Sequence, residues 1–140
     1  MAAADPREGA QFGAAWMAAY AVIAAQMGVD VLALGASHRP FGNATDDRTA
    51  GDLGPAWQVL ATLARASGAQ VEGLTNLPRH VCGIVWTHDG QAREVLLVNT
   101  SSCSQTIRWA DDLVDGQSIP LGEMRLPAYG THMLSLVRIG

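Results

Sequence analysis

Five large apolar residues, Phe12, Trp16, Tyr20, Ile23 and Met27, recur at steps of four, four, three and four. That spacing places them on one face of a helix predicted over residues 10–27. The opposite positions are mostly alanine rather than charge. A helix small on one side and aromatic on the other is packed on both faces, as a layer helix in a larger body would be. Asp5 and Pro6, with Glu8 behind them, supply a start signal, and Gly28 supplies a stop. Residues 29–34 (VDVLAL) are nearly continuous in apolar side chains, the pattern of a strand covered on both faces. The following stretch, residues 35–54, shows no apolar periodicity and is long for a connection, and loops of that length are usually functional or disordered. A second helix starts near Pro55, carries Trp57, Leu60, Leu63 and Ala64 at helical spacing, and closes at Ser67 and Gly68.

Beyond Gly68 the period changes. Residues 70–74, 81–86, 94–99, 105–109 and 132–139 are short β-branched or aromatic segments separated by turn signals. His88-Asp89-Gly90-Gln91 offers an Asp-Gly hairpin turn, and Asp115-Gly116 and Pro127-Ala128-Tyr129-Gly130 mark others. Strands at this spacing predict an antiparallel β-sandwich. The expected class is α+β, with a boundary near residue 68: a helix-strand-helix unit in residues 1–68 and a sandwich in residues 69–140. The first part has the grammar of one side of a parallel α/β layer, in which ligands gather at the carboxyl ends of strands. No second unit of that kind follows, and one parallel strand is not stable without neighbours. The chain therefore reads as the tail of a larger enzyme.

Composition narrows the picture. The chain of 140 residues is long enough for an ordinary core, and its net charge of −4 offers no basic face for nucleic acid or an anionic membrane. A small-molecule partner is the expectation. The start has acidic residues and no basic segment before an apolar one, unlike a secretory signal. The apolar run over residues 12–27 is shorter than the roughly 20 residues that cross a bilayer. A cytoplasmic location is expected. Cys82 and Cys103 are too few for a disulfide scaffold and lack metal spacing; Cys82, inside an apolar strand, reads as a buried thiol.

The long loop holds the candidate chemistry. His38 brings an imidazole, Arg39 a fixed cation and Asn43 both a donor and an acceptor, while Gly35 and Gly42 allow close backbone approach. The competing reading is a solvated loop kept wet by Asp46, Asp47 and Arg48. No catalytic carboxylate pair emerges: Asp30 opens a strand at the wrong end for a site, Asp46, Asp47 and Asp52 are loop residues, and Glu94 and Glu123 belong to the sandwich. There is no G-x-S-x-G elbow and no dinucleotide glycine fingerprint. His80, His88 and His132 are scattered over strand ends without a metal-binding spacing. Neither a metal nor another cofactor is expected. Trp86 and Trp109 could stack on a sugar ring, although a sandwich tryptophan is more often core.

The stretch QFGAAWMAAYAVIAAQMGVDVLALGASHRPFGN resembles the last helix-strand-loop unit of a glycosidase-like (β/α)8 barrel. The stretches LPRHVCGIVWTHDGQAREVLLVNTSSCSQTIRW and LPAYGTHMLSL resemble the C-terminal β-sandwich that such enzymes carry. Together they resemble the D-apionate lactonase family, relatives of glycoside hydrolases that open the lactone of a branched sugar acid. A Gln-Phe-x-Ala-Trp-like helix start falls at Gln11 to Trp16. The family's Gly-Pro-Arg-Gly-like loop falls at His38 to Gly42, where this chain departs from it with His38-Arg39-Pro40-Phe41-Gly42. The resemblance implies that residues 29–34 are the eighth barrel strand and that the second helix is the eighth helix. It also implies that the catalytic carboxylates sit on the fourth and seventh strands, before Met1.

Two functions are expected to compete. In the first, the chain is the C-terminal part of a lactonase-like carbohydrate hydrolase, inactive alone, with His38, Arg39 and Asn43 positioning a sugar acid or lactone. In the second, the sandwich is a non-catalytic carbohydrate-binding or interaction module. Under either, the unpaired edges of residues 29–34 predict self-association or docking of that strand on the sandwich.

Overall fold

The computed structural model describes residues 11–34, 54–88, 93–109 and 122–136, apart from the side chains of Trp109 and Leu136. Its described elements are α1 (Gln11–Gln26), α2 (Pro55–Arg65), β1 (Gln70–Gly73), β2 (Val81–Thr87), β3 (Arg93–Asn99), β4 (Gln105–Trp109), β5 (Gly122–Leu126) and β6 (Thr131–Leu136). The class is α+β.

All described strand pairs are antiparallel. One sheet has the order β1-β2-β3-β6 and a second joins β4 to β5. Alternation along β2 and β3 sends side chains to two different cores. Ile84, Trp86, Leu96 and Val98, with Cys82 and Met133 beside them, face the helices and meet Ala14, Ala15, Ala18, Ala19, Val22, Ala56 and Val59. Val81, Val85, Val95 and Leu97 face the other way, onto Ile107 and Leu126 of the second sheet. The register Ile84↔Leu96 and Val85↔Val95 keeps each set on its own side. The four-stranded sheet is thus the middle layer, which explains why VCGIVW and VLLV are apolar at nearly every position. The strands expected at residues 70–74, 81–86, 94–99, 105–109 and 132–139 correspond to β1, β2, β3, β4 and β6. β4 has the expected bounds, β1, β2 and β3 each differ by one residue at one end, β6 starts one residue earlier, and residues 137–139 lie outside the described residues. β5 was not expected: Glu123 and Arg125 alternate with Met124 and Leu126 in a segment of five residues.

The first helix packs in a way that differs from expectation. Its alanine face lies on the sheet, crossing β1, β2, β3 and β6, and it also packs on α2. Alanine at Ala14, Ala15, Ala18 and Ala19 lets the helix backbone approach closely, and the bulk in that layer comes from Trp86, Ile84 and Leu96. The aromatic face points to solvent: Trp16 is 55% exposed, Tyr20 61% and Met27 79%. Its first residue is the most covered, where Phe12 meets Tyr129 edge-on with ring centroids 5.0 Å apart. The helix carries no charged residue to mark an outer side, so sequence periodicity could identify the two faces but not rank them.

Gly28 ends the helix as expected. It has φ +76°, its N–H bonds to Ala25 O at 3.1 Å, and the Val29 N–H reaches back to Ala24 O at 3.0 Å. That pair of bonds is a Schellman cap, which needs the left-handed conformation glycine adopts without strain. Residues 29–34 that follow form no strand, with a bend at Asp30, and no described strand pairs with them, including those of the sandwich. A strand requires a hydrogen-bonded neighbour, and an apolar run alone does not supply one. Val31 is 86% exposed.

Candidate functional site

The candidate loop is bracketed by two described anchors. On one side stand residues 29–34, delivered by the Gly28 cap. On the other, Gly54 is the N-cap of α2, followed by Pro55 in its first turn; no side chain caps the helix, and the Trp57 N–H bonds to Gly54 O at 3.0 Å. Proline fits there because its missing N–H would have no intrahelical partner. His38, Arg39 and Asn43 lie outside the described residues, as do Asp46, Asp47 and Asp52. The His88 hairpin turn is described only up to His88 itself, whose Nε2 sits 2.6 Å from Arg65 O at the end of α2. A carbonyl can only accept, so that nitrogen carries the proton and satisfies one of the helix's orphan carbonyls.

The other candidates resolve into structural roles. Trp86 is buried between the four-stranded sheet and the helices, so it presents no face to a sugar ring. Its indole Nε1 has no hydrogen-bond partner among the described residues. Glu123 pairs with Arg108 at 2.7 Å on the exposed side of the second sheet, a cross-strand contact worth little in water. Both cysteines are free thiols; Cys103 is exposed, whereas Cys82 is half-buried and its pKa is raised by desolvation, which keeps it protonated and poorly nucleophilic. Among the described residues, no three His, Cys, Asp or Glu side chains converge as metal ligands. No described helix is long and apolar enough to cross a membrane.

Two features were not found from the sequence. A cleft of about 150 Å³ opens between α2 and β6, lined by Gln58, Val59, Thr62, Leu96, Thr131, His132 and Met133. It is smaller than the few hundred Å³ usual for an organic ligand. The second is Asn99, fully buried at the end of β3. Its Nδ2 donates to Cys103 O at 2.8 Å and Pro127 O at 2.9 Å, while its Oδ1 accepts from the Ser101 N–H at 2.9 Å and from Ser101 Oγ at 2.8 Å. The polar run at residues 99–104 could have suggested a turn, yet nothing in its pattern marks Asn99 as buried.

Within the candidate region the described part is therefore a helix, an irregular apolar segment and a second helix, in that order. Residues 1–68 match the family model of the D-apionate lactonase TIM barrel domain. Over this stretch the chain is similar to the D-apionate lactonase barrel domain. The match covers α1, residues 29–34, the candidate loop and α2, and it stops two residues before β1. No curated protein and no solved structure matches the chain.

Proposed function

We propose that this chain supplies the closing part of a sugar-lactone hydrolase, with the loop at residues 35–54 forming one wall of the substrate site. Residues 1–68 would be the end of the barrel and residues 69–140 a supporting sandwich, in a cytoplasmic enzyme of carbohydrate metabolism. The observation that carries the reading is the D-apionate lactonase match over residues 1–68. Opening a lactone breaks its acyl C–O bond: water's oxygen joins the acyl carbon, and a proton passes to the released hydroxyl. A loop with a cation, an imidazole and an amide suits the positioning part of that reaction. Arg39 would face the carboxylate or the developing oxyanion, Asn43 would bond hydroxyls in both senses, and His38 would donate or accept beside them. The chemistry would rest with groups elsewhere in the barrel, since no catalytic pair is legible in this chain. The binding-module reading draws no support from Trp86, which is buried.

The test is kinetic. In a D-apionate lactonase barrel carrying this segment, Arg39→Ala or Asn43→Ala should raise KM for a sugar lactone by about tenfold with less change in kcat, the signature of lost ground-state binding. An unchanged KM in both variants overturns the positioning role. Hydrolysis at enzymatic rates by the 140-residue chain alone overturns the division of labour.

A further inference from the structure

We propose that the cleft between α2 and β6 is a binding site for a small hydroxycarboxylate, of about three or four carbons. The helix supplies one wall. Gln58, Thr62 and Arg65 recur at steps of four and three, so they stand on one side of α2. Gln58 and Thr62 line the cleft, and the Arg65 guanidinium stands at its edge, with Nη2 3.2 Å from the sulfur of Met133. The strand supplies the other wall, through Thr131, His132 and Met133. β6 is the last strand of its sheet and α2 packs chiefly on α1, which leaves this opening beside the sheet edge. Val59 and Leu96, both buried, close the floor.

Volume sets the size of the guest. An apolar cavity of about 150 Å³ receives a benzene-sized molecule, so a cleft of about 150 Å³ takes about six or seven non-hydrogen atoms. The lining sets the chemistry. No Asp or Glu is among the lining residues, whereas a guanidinium, an imidazole, two hydroxyls and an amide surround the opening. That set offers donors in excess and one fixed positive charge, which selects an anion that also carries hydroxyl groups. A thioether is a weak acceptor, so Arg65 gains a far better partner when a carboxylate oxygen takes the place of the Met133 sulfur. The planar guanidinium suits a carboxylate, the threonines and Gln58 suit hydroxyls, and the apolar floor suits the carbons between them. Inorganic phosphate shares the charge but has no carbon to lay on Val59 and Leu96. None of these residues lies in the loop at residues 35–54, so the inference is independent of the lactone chemistry.

The experiment titrates the isotope-labelled full chain with sodium glycerate and follows the amide chemical shifts. Shifts should saturate at Thr62, Thr131 and His132 with a Kd on the order of 1 mM, the affinity open to so few atoms beside an exposed cation. Glycerol, with the same carbons and no carboxylate, should bind about tenfold more weakly, and so should inorganic phosphate. Arg65 is exposed, so Arg65→Gln should stay folded by circular dichroism and lose about tenfold in glycerate affinity. Thr131→Val, on the opposite wall, should lose about fivefold. Should a variant fail to fold, the parent chain still decides through salt: a tenfold rise in sodium chloride, from about 0.05 M, should weaken glycerate binding several-fold. The inference is overturned if no saturable shift appears at the cleft, or if glycerol or phosphate binds as tightly as glycerate. It is equally overturned by a folded Arg65→Gln chain that binds like the parent, or by an affinity indifferent to salt.

Discussion

Asn99 donates from Nδ2 to the carbonyl of Pro127 at 2.9 Å, tying the end of β3 to the turn between β5 and β6. The same amide holds Cys103 O and accepts from Ser101, so the loop leading to β4 is fastened at the same point. One side chain thereby fixes how the two-stranded sheet sits on the four-stranded one. The neighbouring backbone reinforces it: the Asn99 N–H bonds to Gly130 O at 2.9 Å and the Tyr129 N–H to Ser101 O at 3.0 Å. Tyr129, at φ +53°, is held by this turn where its ring meets Phe12 of α1.

Asn99→Ala should therefore cost about 2–4 kcal/mol, because two carbonyls and the Ser101 N–H lose their partner in a buried setting. Asn99→Asp has the same shape but, when ionised, only acceptors, and turns a negative charge toward two carbonyl oxygens. At neutral pH it should be less stable than the alanine variant. Urea unfolding of both proteins decides the matter, and a loss under about 0.5 kcal/mol for Asn99→Ala would sink the role assigned to this residue.

Gly83 in the middle of β2 should not tolerate a methyl group. A Cβ there would lie 2.8 Å from the backbone oxygen of Leu96 and 2.9 Å from side-chain carbons of Leu74 and Leu97. The leucine tips can shift, but the ladder oxygen cannot move without disturbing the β2–β3 pairing. Gly83→Ala is expected to lose about 1–3 kcal/mol, with a lower midpoint and an unchanged m-value in urea. A variant as stable as the parent would show that the strand has more slack at this point.

What could be read from the sequence follows from how many faces each segment buries. β2 and β3 bury two, so their runs of Val, Ile and Leu stand out. β5 buries only Met124 and Leu126, while Glu123 and Arg125 face water, and five such residues look like loop. In α1 both faces are apolar, and the choice between them is made by the sheet: Trp86, Ile84 and Leu96 fill the layer, leaving room for alanine and not for tryptophan. Residues 29–34 announce a strand by composition, yet pairing belongs to the neighbours and is invisible in the segment itself. The proposed site residues His38, Arg39 and Asn43 are a reading of side-chain chemistry alone and lie outside the described residues.

The two faces of α1 should respond oppositely to substitution. Ala15 is fully buried against the sheet, so Ala15→Leu adds bulk where none fits and is expected to cost about 1–3 kcal/mol. Trp16, its neighbour in sequence, points outward, and Trp16→Ala should change the stability of the isolated chain by no more than about 0.5 kcal/mol. Thermal or urea unfolding of the pair measures the difference directly. If the tryptophan variant proved the costlier, α1 would be seated on its aromatic face, and the packing described for it would be wrong.

Cys82 gives the fold a pH signature. Its side chain lies beside the core between sheet and helices, and desolvation raises its pKa above the ordinary value of 9.0. The native state therefore holds that proton to higher pH than the unfolded chain does. Stabilisation from this source is complete below about pH 9 and declines as pH rises through the native pKa, because only the unfolded chain ionises readily there. Cys82→Ser removes the titration while keeping similar volume. The stability difference between parent and variant should be flat from pH 6 to 8 and shrink above pH 9, at the parent's expense. Thiol labelling supplies a second reading: exposed Cys103 should react first near pH 8, with Cys82 following only as pH climbs or the chain unfolds. A parent-minus-variant difference that stayed constant up to pH 10.5 would mean that Cys82 is no more shielded in the native state than in the unfolded one.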